Sequence, residues 1–135
     1  MNYGFVKVAA AVPHVQVADC FYNIQQMEGL MRQASDKGVQ IIAFPEMSVT
    51  AYTCLDLFAQ QTLLKNAEQA LLKLVSDTAD LNILTIAGAP LVTENRLINA
   101  AIAFQSPPVH EQIGERIAGK TPINSNTLYD KNKLI

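Results

Sequence analysis

The chain has 135 residues, of which 50% are hydrophobic and 16% are charged, the composition of a folded domain with its own core rather than of a disordered segment. The formal net charge is −2 and the basic residues are scattered, so we expect no nucleic-acid partner. No apolar run of about eighteen residues and no secretory leader is recognisable, and the two unpatterned cysteines favour a reducing compartment; we expect a cytoplasmic protein with no membrane partner.

Two strands flank one helix in the first part of the chain. Residues 5–12, FVKVAAAV, form a short apolar run that is typical of a buried strand. Residues 18–38 place apolar side chains at helical spacing, with Asp19 as the N-cap and Gly38 as the C-terminal stop. Residues 39–44, VQIIAF, predict the second strand.

A second helix and two further strands follow. Residues 61–80 carry leucines, alanines and a valine on one helical face. Residues 82–89 and 96–105 predict strands, and Pro90 and Asn95 are predicted as turn residues of the connection between them. Because this connection is short, we expect an antiparallel hairpin.

This order of elements predicts an α/β sheet. Strands that are apolar throughout require cover on both faces, which two helices cannot supply. The second layer must come from a second sheet, more chain or a partner. The composition changes after Gln105, so we predict that residues 1–105 form part of a domain and that residues 106–135 are a divergent, irregular tail.

Glu46 is the first candidate for chemistry, since it follows the second strand in the stretch FPEMS. Ligands of α/β sheets bind at the carboxyl ends of the strands. A carboxylate beside Phe44, Pro45 and Met47 is expected to be partly removed from water, which suits a general base. The alternative is an N-cap or a surface acid at a strand-to-loop turn.

The next stretch, AYTCLDLF, offers further side chains. Tyr52 either presents its hydroxyl to the same crevice or is an aromatic wedge in a long loop. Thr53 is predicted to cap a short helix with Asp56 in its first turn. Cys54 is either a nucleophile at a helix start or a structural thiol, since no histidine lies nearby in sequence. Cys20 is predicted to lie in the core.

Metal and phosphate sites are not predicted. His14 and His110 are isolated from other ligand residues, whereas metal sites require clustered ligands. The GKT at residues 119–121 lacks the upstream glycines of a phosphate-binding loop.

The stretch from KVAAAVPH to FAQQ resembles the start of the nitrilase-like (carbon–nitrogen hydrolase) domain. Within that family it is similar to the N-terminal glutaminase domain of glutamine-dependent NAD synthetases. The motifs that carry the resemblance are GVQIIAFPEMS and AYTCLDLF, and the likeness extends from about residue 3 to about residue 104. It implies part of a nitrilase-like α-β-β-α sandwich, incomplete in this chain, with a mixed sheet and helices on one face.

The resemblance also implies roles for individual residues. The family uses a Glu–Lys–Cys triad, in which Glu46 matches the general base. Tyr52 matches a tyrosine that lines the glutamine pocket, and Ala51 stands where the family has glycine, so a positive φ there would be strained. Lys120, in GKTPINSNTLYDKNK, matches the lysine that stabilises the oxyanion; the alternative is a solvated lysine in the tail.

Neither Cys20 nor Cys54 matches the nucleophile of the family, which implies an amide-nitrogen hydrolase segment that is inactive alone. The alternatives are a non-catalytic binding or assembly module and an unrelated α/β enzyme that uses Cys54. The family substrate is glutamine, and the parent ligases assemble into homo-oligomers. ATP and Mg²⁺ belong to the synthetase domain of the family, so we expect no cofactor on this segment.

Overall fold

The structure is a computed structural model that describes residues 4–105 and 128–130. Its elements alternate between strands and helices in the first two thirds of the chain and end in antiparallel strands. In chain order they are β1 (Val8–Ala10), α1 (Cys20–Asp36), β2 (Ile41–Ala43), a 3₁₀ segment (Tyr52–Ala59), α2 (Gln61–Asp77), β3 (Leu84–Thr93), β4 (Arg96–Gln105) and β5 (Leu128–Asp130).

The strands form one mixed sheet in the order β1-β2-β3-β4-β5. Strands β1, β2 and β3 are parallel, so the helices α1 and α2 are the crossover connections between them. Strands β3, β4 and β5 pair antiparallel, and β3 and β4 form the predicted hairpin. The α/β class and the mixed sheet predicted from the sequence are therefore confirmed.

The core lies between the apolar faces of the two helices and one face of the sheet. Both helices bury the residues that the 3.6-residue spacing selects, which explains why the sequence located them correctly. Among the described residues, the largest fully buried apolar side chains are Met27, Met31, Ile42, Val49, Leu71, Leu74, Val75, Ile83 and Ile102.

Helix α1 begins and ends as predicted. The Asp19 side chain accepts a hydrogen bond from the backbone N–H of Tyr22 at 3.1 Å, which satisfies one donor of the first turn. Gly38 has a φ of 76°, and the N–H of Val39 donates to the carbonyl of Ala34 at 3.0 Å. This left-handed residue followed by a bond back into the last turn is the common glycine-dependent helix end.

The turn between β3 and β4 is shorter than predicted. The turn consists of Glu94 and Asn95, whose φ values of 49° and 60° match a two-residue hairpin loop. Asn95 is thus a turn residue, but Pro90 lies inside β3 opposite Asn99. Pairs alternate along an antiparallel ladder, and counting back from the turn places Pro90 at a pair without hydrogen bonds. Its missing N–H costs the hairpin nothing.

Strand β5 falls within the segment for which the sequence predicts an irregular tail. Its three residues pair with Ala100, Ala101 and Ile102 of β4. A three-residue strand has too little periodicity to be recognised from sequence. The other residues after Gln105 lie outside the described part of the chain, and for them the predicted irregular structure stays a prediction.

Two buried threonines provide a matched stability test. Within the described residues, the hydroxyl of Thr85 is the one buried side-chain polar atom without a hydrogen-bond partner, whereas that of Thr78 donates to the Leu74 carbonyl at 2.7 Å. We expect Thr85→Val to raise the free energy of unfolding by about 1 kcal/mol and Thr78→Val to lower it by about as much. Urea unfolding of the two variants measures both, and equal destabilisation would contradict the assignment.

Candidate active site

The loop of residues 45–50, here called the Glu46 loop, leaves the sheet directly after β2. Phe44 still donates its N–H to the carbonyl of Ile86 at 2.9 Å, so the parallel pairing continues up to the loop. Glu46 therefore lies at the carboxyl edge of the parallel strands, where the sequence predicted it. Met47 turns the chain with a φ of 54°.

The loop rests on the backbone of Gly88 in β3. A Cβ atom at Gly88 would lie 2.4 Å from the Met47 nitrogen and 2.7 Å from the Pro45 carbonyl oxygen. Both backbone groups of Gly88 bind the loop: its N–H donates to the Ser48 hydroxyl at 3.1 Å, and its carbonyl accepts from the Val49 N–H at 3.1 Å. Only glycine permits this approach.

Asn23 of α1 holds the loop from the other side. This side chain is fully buried, and its Nδ2 donates to the carbonyls of Val49 and Gln16 at 2.9 Å each. Its Oδ1 accepts from the Gln16 N–H at 2.7 Å, and the Ala18 N–H donates to the Thr50 carbonyl at 2.9 Å. The loop is thus fixed between β3 and the chain segment that precedes α1.

The Glu46 carboxylate borders a pocket of about 190 Å³, and its Oε1 accepts a hydrogen bond from the side-chain amide of Asn99. The remaining wall is apolar and formed mostly by small residues. The lining residues are Phe44, Pro45, Glu46, Ile86, Ala87, Gly88, Asn99, Ala100 and Ala101. Glu46 itself is exposed, so the predicted partial removal from water is wrong for the described part of the chain.

The 3₁₀ segment places the side chains of the AYTCLDLF motif away from this pocket. Tyr52 is 68% exposed and is not among the described residues that line the pocket. The segment begins after Ala51 without a side-chain cap and Thr53 lies within it, so the predicted Thr53 cap is wrong. Asp56 is exposed in the middle of the segment.

Ala51 has the positive φ that the glycine of the family at this position led us to expect, and the backbone is strained there. Its φ of 69° and ψ of 152° fall in a region that is populated almost only by glycine. Leu55, in the same segment, also has a positive φ of 50°. The structure thus maintains a strained backbone next to the candidate site, with Ala51 buried.

Both cysteines are core residues. The Cys54 thiol is 3% exposed and donates to the carbonyls of Thr50 and Ala51 at 3.0 and 3.5 Å. Burial, reinforced by the nearby Cys54 and Asp19, raises the pKa of the Cys20 thiol to about 11. Neither thiol borders the pocket of Glu46, which favours the structural interpretation of Cys54 over the nucleophilic one.

Other predicted residues are separate from the site. Lys120 and His110 lie outside the described residues, and His14 is exposed. Within residues 4–105 and 128–130, no group of three or more His, Cys, Asp or Glu residues could hold a metal ion. None of the helices in this part of the chain is long and apolar enough to cross a membrane.

Sequence reasoning missed Asn23, Gly88 and Asn99. Two of them carried a usable signal: Gly88 interrupts an otherwise well-formed strand, and Asn99 is a polar residue in the middle of the apolar run RLINAAIAFQ. Each of the three also has a partner 26, 40 or 53 residues away, so no local pattern shows what it binds.

Comparison with known proteins identifies a matching family and several relatives of the chain. The carbon–nitrogen hydrolase family model matches residues 7–135, which extends beyond residue 104, where the resemblance was expected to end. Glutamine-dependent NAD(+) synthetase of Mycobacterium tuberculosis H37Rv is 36% identical over 103 residues, 76% of this chain and 15% of the relative. The Mycobacterium leprae protein of that name is 36% identical over 134 residues, 98% and 19% respectively. The chain thus spans less than a fifth of these relatives.

Solved structures share the fold. A glutamine-dependent NAD(+) synthetase from Cytophaga hutchinsonii has a TM-score of 0.69 at 20% identity, over 75% of this chain and 17% of that one. The Acinetobacter baumannii synthetase, solved with ADP, has a TM-score of 0.64 at 25% identity over 77% and 19%. An amidase from Nesterenkonia has a TM-score of 0.61 at 17% identity over 75% and 38%. These neighbours confirm the nitrilase-like fold.

Gly88→Ala tests the contact between the loop and β3. Because the new Cβ would collide with backbone atoms, we expect a loss of about 2–3 kcal/mol in unfolding free energy. We also expect faster hydrogen exchange at the Val49 amide. The matched control is Gly29→Ala, an exposed helical site with nothing within 4 Å, which should gain up to about 1 kcal/mol. Wild-type exchange at Val49 in Gly88→Ala would refute the close contact.

Ala51→Gly tests the backbone strain. Glycine adopts the observed φ and ψ freely, and we expect a net gain of about 1 kcal/mol in unfolding free energy after its extra unfolded-state entropy is subtracted. Ala59→Gly, at an exposed position without positive φ in the same 3₁₀ segment, should instead lose about 0.5–1 kcal/mol. Thermal or urea unfolding measures both, and a loss in Ala51→Gly would show that the site is unstrained.

Proposed function

The chain belongs to the carbon–nitrogen hydrolase family, and from this premise we propose that it carries the general-base part of a glutaminase site of the glutamine-dependent NAD synthetase type. The family membership confirms the resemblance seen in GVQIIAFPEMS and AYTCLDLF. The role of Glu46 as the base rests on one observation above all. Its carboxylate is held at the carboxyl edge of the parallel strands, beside a pocket, on a loop fixed from two sides.

The proposed reaction requires a thiol that attacks the amide carbon of glutamine. Glu46 accepts the thiol proton as the sulfur–carbon bond forms, and ammonia leaves when the carbon–nitrogen bond breaks. Water then cleaves the thioester, and Glu46 accepts the proton of that water. Lys120, inside the range matched by the family, is proposed to stabilise the oxyanion.

We propose that the nucleophile is not one of the two cysteines of this chain, because Cys20 and Cys54 are buried and are not among the described residues that line the pocket. We therefore propose that this chain alone does not complete the hydrolysis and that Glu46 works with a thiol supplied from outside it. ATP and Mg²⁺, the cofactors of the synthetase reaction, are proposed to bind outside this segment. A cytoplasmic homo-oligomer is the assembly expected from the parent family.

Glutamine is the substrate that the relatives' names support. The pocket is smaller than the roughly 300 Å³ at which sites for whole drug-sized ligands begin. Its size and its small, apolar walls suit one end of an amide substrate rather than a dinucleotide. Tyr52 is proposed as a glutamine contact by resemblance, although its exposed ring is outside the pocket lining.

A non-catalytic binding or assembly module is the second candidate function. It is supported by large apolar side chains that are exposed on and beside the edge strand β1. Val6 is 57% exposed, Val8 64% and Val12 81%. Contiguous exposed apolar residues are typical of interaction surfaces. A monodisperse monomer in light scattering would count against this candidate.

Glutamine hydrolysis tests the proposal. The purified chain should release no ammonia above background. A chimera in which this chain replaces its aligned segment of the M. tuberculosis relative should release ammonia, and Glu46→Gln should reduce its kcat by about 10²–10⁴-fold because the base is lost.

The matched control for that experiment is Glu68→Gln in the chimera, an exposed carboxylate on α2 that should leave the rate unchanged. Circular dichroism of each variant establishes that the chimera is folded. Undiminished ammonia release by the Glu46→Gln chimera would exclude Glu46 as the base. Release by the chain alone would exclude the need for an outside thiol.

A further inference from the structure

We propose that Asn99 is the positioning residue of the Glu46 carboxylate: its side-chain amide orients the general base and favours its ionised form. This inference rests on the proposed function of Glu46. It arises from a hydrogen bond between two side chains that are 53 residues apart in sequence, from Asn99 Nδ2 to Glu46 Oε1.

The hairpin of β3 and β4 controls both the backbone and the side chain of the base. Gly88 of β3 binds the Glu46 loop through its own N–H and carbonyl. Gly88 pairs with Ala101 of β4, and Asn99 lies two residues from Ala101 on the same strand. The main chain of the loop and the carboxylate at its tip are therefore both fixed to one strand pair. The hairpin is thus the one of the two anchors of the loop that also contacts the Glu46 carboxylate in the described part of the chain.

Asn99 is chemically suited to this role. An amide N–H that donates to one oxygen restricts the rotation of a carboxylate, and with it the direction from which the carboxylate takes a proton. The amide does not ionise, so it cannot compete for that proton. Among the described residues that line the pocket, Glu46 is the one ionisable group and Asn99 the one side-chain amide.

In the described wall of the pocket, the polar side chains are those of Asn99 and Glu46, which bind each other. Apart from Glu46 and Asn99, the described lining residues have no polar side chain, as Ile86, Gly88 and Ala101 illustrate. A strand position that served only to pair β3 with β4 would not need an amide, since the backbone supplies the ladder bonds. The polar side chain at Asn99 is therefore explained by what it binds.

The experiment is an NMR titration of the Glu46 side-chain carboxyl carbon in this chain, assigned with Glu46→Gln. Asn99→Ala removes a donor that favours the ionised form, so we expect its titration midpoint to move to higher pH by about half a unit or more. The near-isosteric Asn99→Asp places a second carboxylate there and should move the midpoint further in the same direction.

The matched control is Asn82→Ala at the opposite end of the hairpin. Asn82 Oδ1 accepts from Gln105 Nε2 at 3.3 Å, so this variant loses a comparable amide contact without touching Glu46. It should leave the Glu46 midpoint unchanged. If Asn99→Ala fails to fold, the Asn99→Asp titration decides the question. A wild-type midpoint in the folded Asn99 variants would overturn the proposal.

Kinetics in the chimera separate this inference from the function on which it rests. We expect Asn99→Ala to lower kcat by about 10–100-fold, with little change in KM, and to shift the acidic limb of the pH profile to higher pH. If Glu46→Gln is inactive but Asn99→Ala retains the wild-type profile, the positioning role alone is wrong. If Glu46→Gln stays active, the general-base function fails, whatever the titration shows.

Discussion

The contact between the Glu46 loop and the bare backbone of Gly88 is the constraint on which the candidate site depends. The loop crosses β3 so closely that a Cβ at Gly88 would lie 2.4 Å from the nitrogen of Met47. Because the loop binds both the N–H and the carbonyl of Gly88, it continues the hydrogen bonding to β3 after β2 has ended. Gly88 and Pro90 both belong to pairs of the hairpin that exchange no backbone hydrogen bonds. The backbone groups of Gly88 are therefore available to the loop, and Pro90 needs no N–H.

Local sequence patterns predicted the elements that depend on interactions between residues close in sequence. The helices were found because apolar residues recur at the helical period, and the ends of α1 because Asp19 and Gly38 act on adjacent backbone groups. Pro90 was predicted in the turn because proline favours turns. It lies inside β3 instead, at a pair of the hairpin where no backbone N–H is needed. Asn23 and Asn99 escaped prediction because their partners lie on other elements, 26 and 53 residues away.

The backbone beside the candidate site is strained at several positions. Met47, Ala51 and Leu55 all have positive φ values without being glycine, and they fall within one short stretch of sequence. Strain of this kind persists only where surrounding contacts over-determine the conformation. Here those contacts are the anchors of the Glu46 loop on Gly88 and Asn23. Resemblance to the family pointed to the strain at position 51, which local propensity alone does not indicate.

Placement and dehydration of Glu46 are separate properties in the described part of the chain. The described residues place Glu46 through β3, β4 and the segment before α1, yet they leave it exposed to water. A base that must take a proton from a thiol gains from a drier surrounding, because desolvation disfavours the charged carboxylate. The described residues therefore supply the geometry of the proposed base, and they do not supply packing that would exclude water from it. The two buried thiols fit the same division, because the proposed reaction draws its nucleophile from outside the described residues.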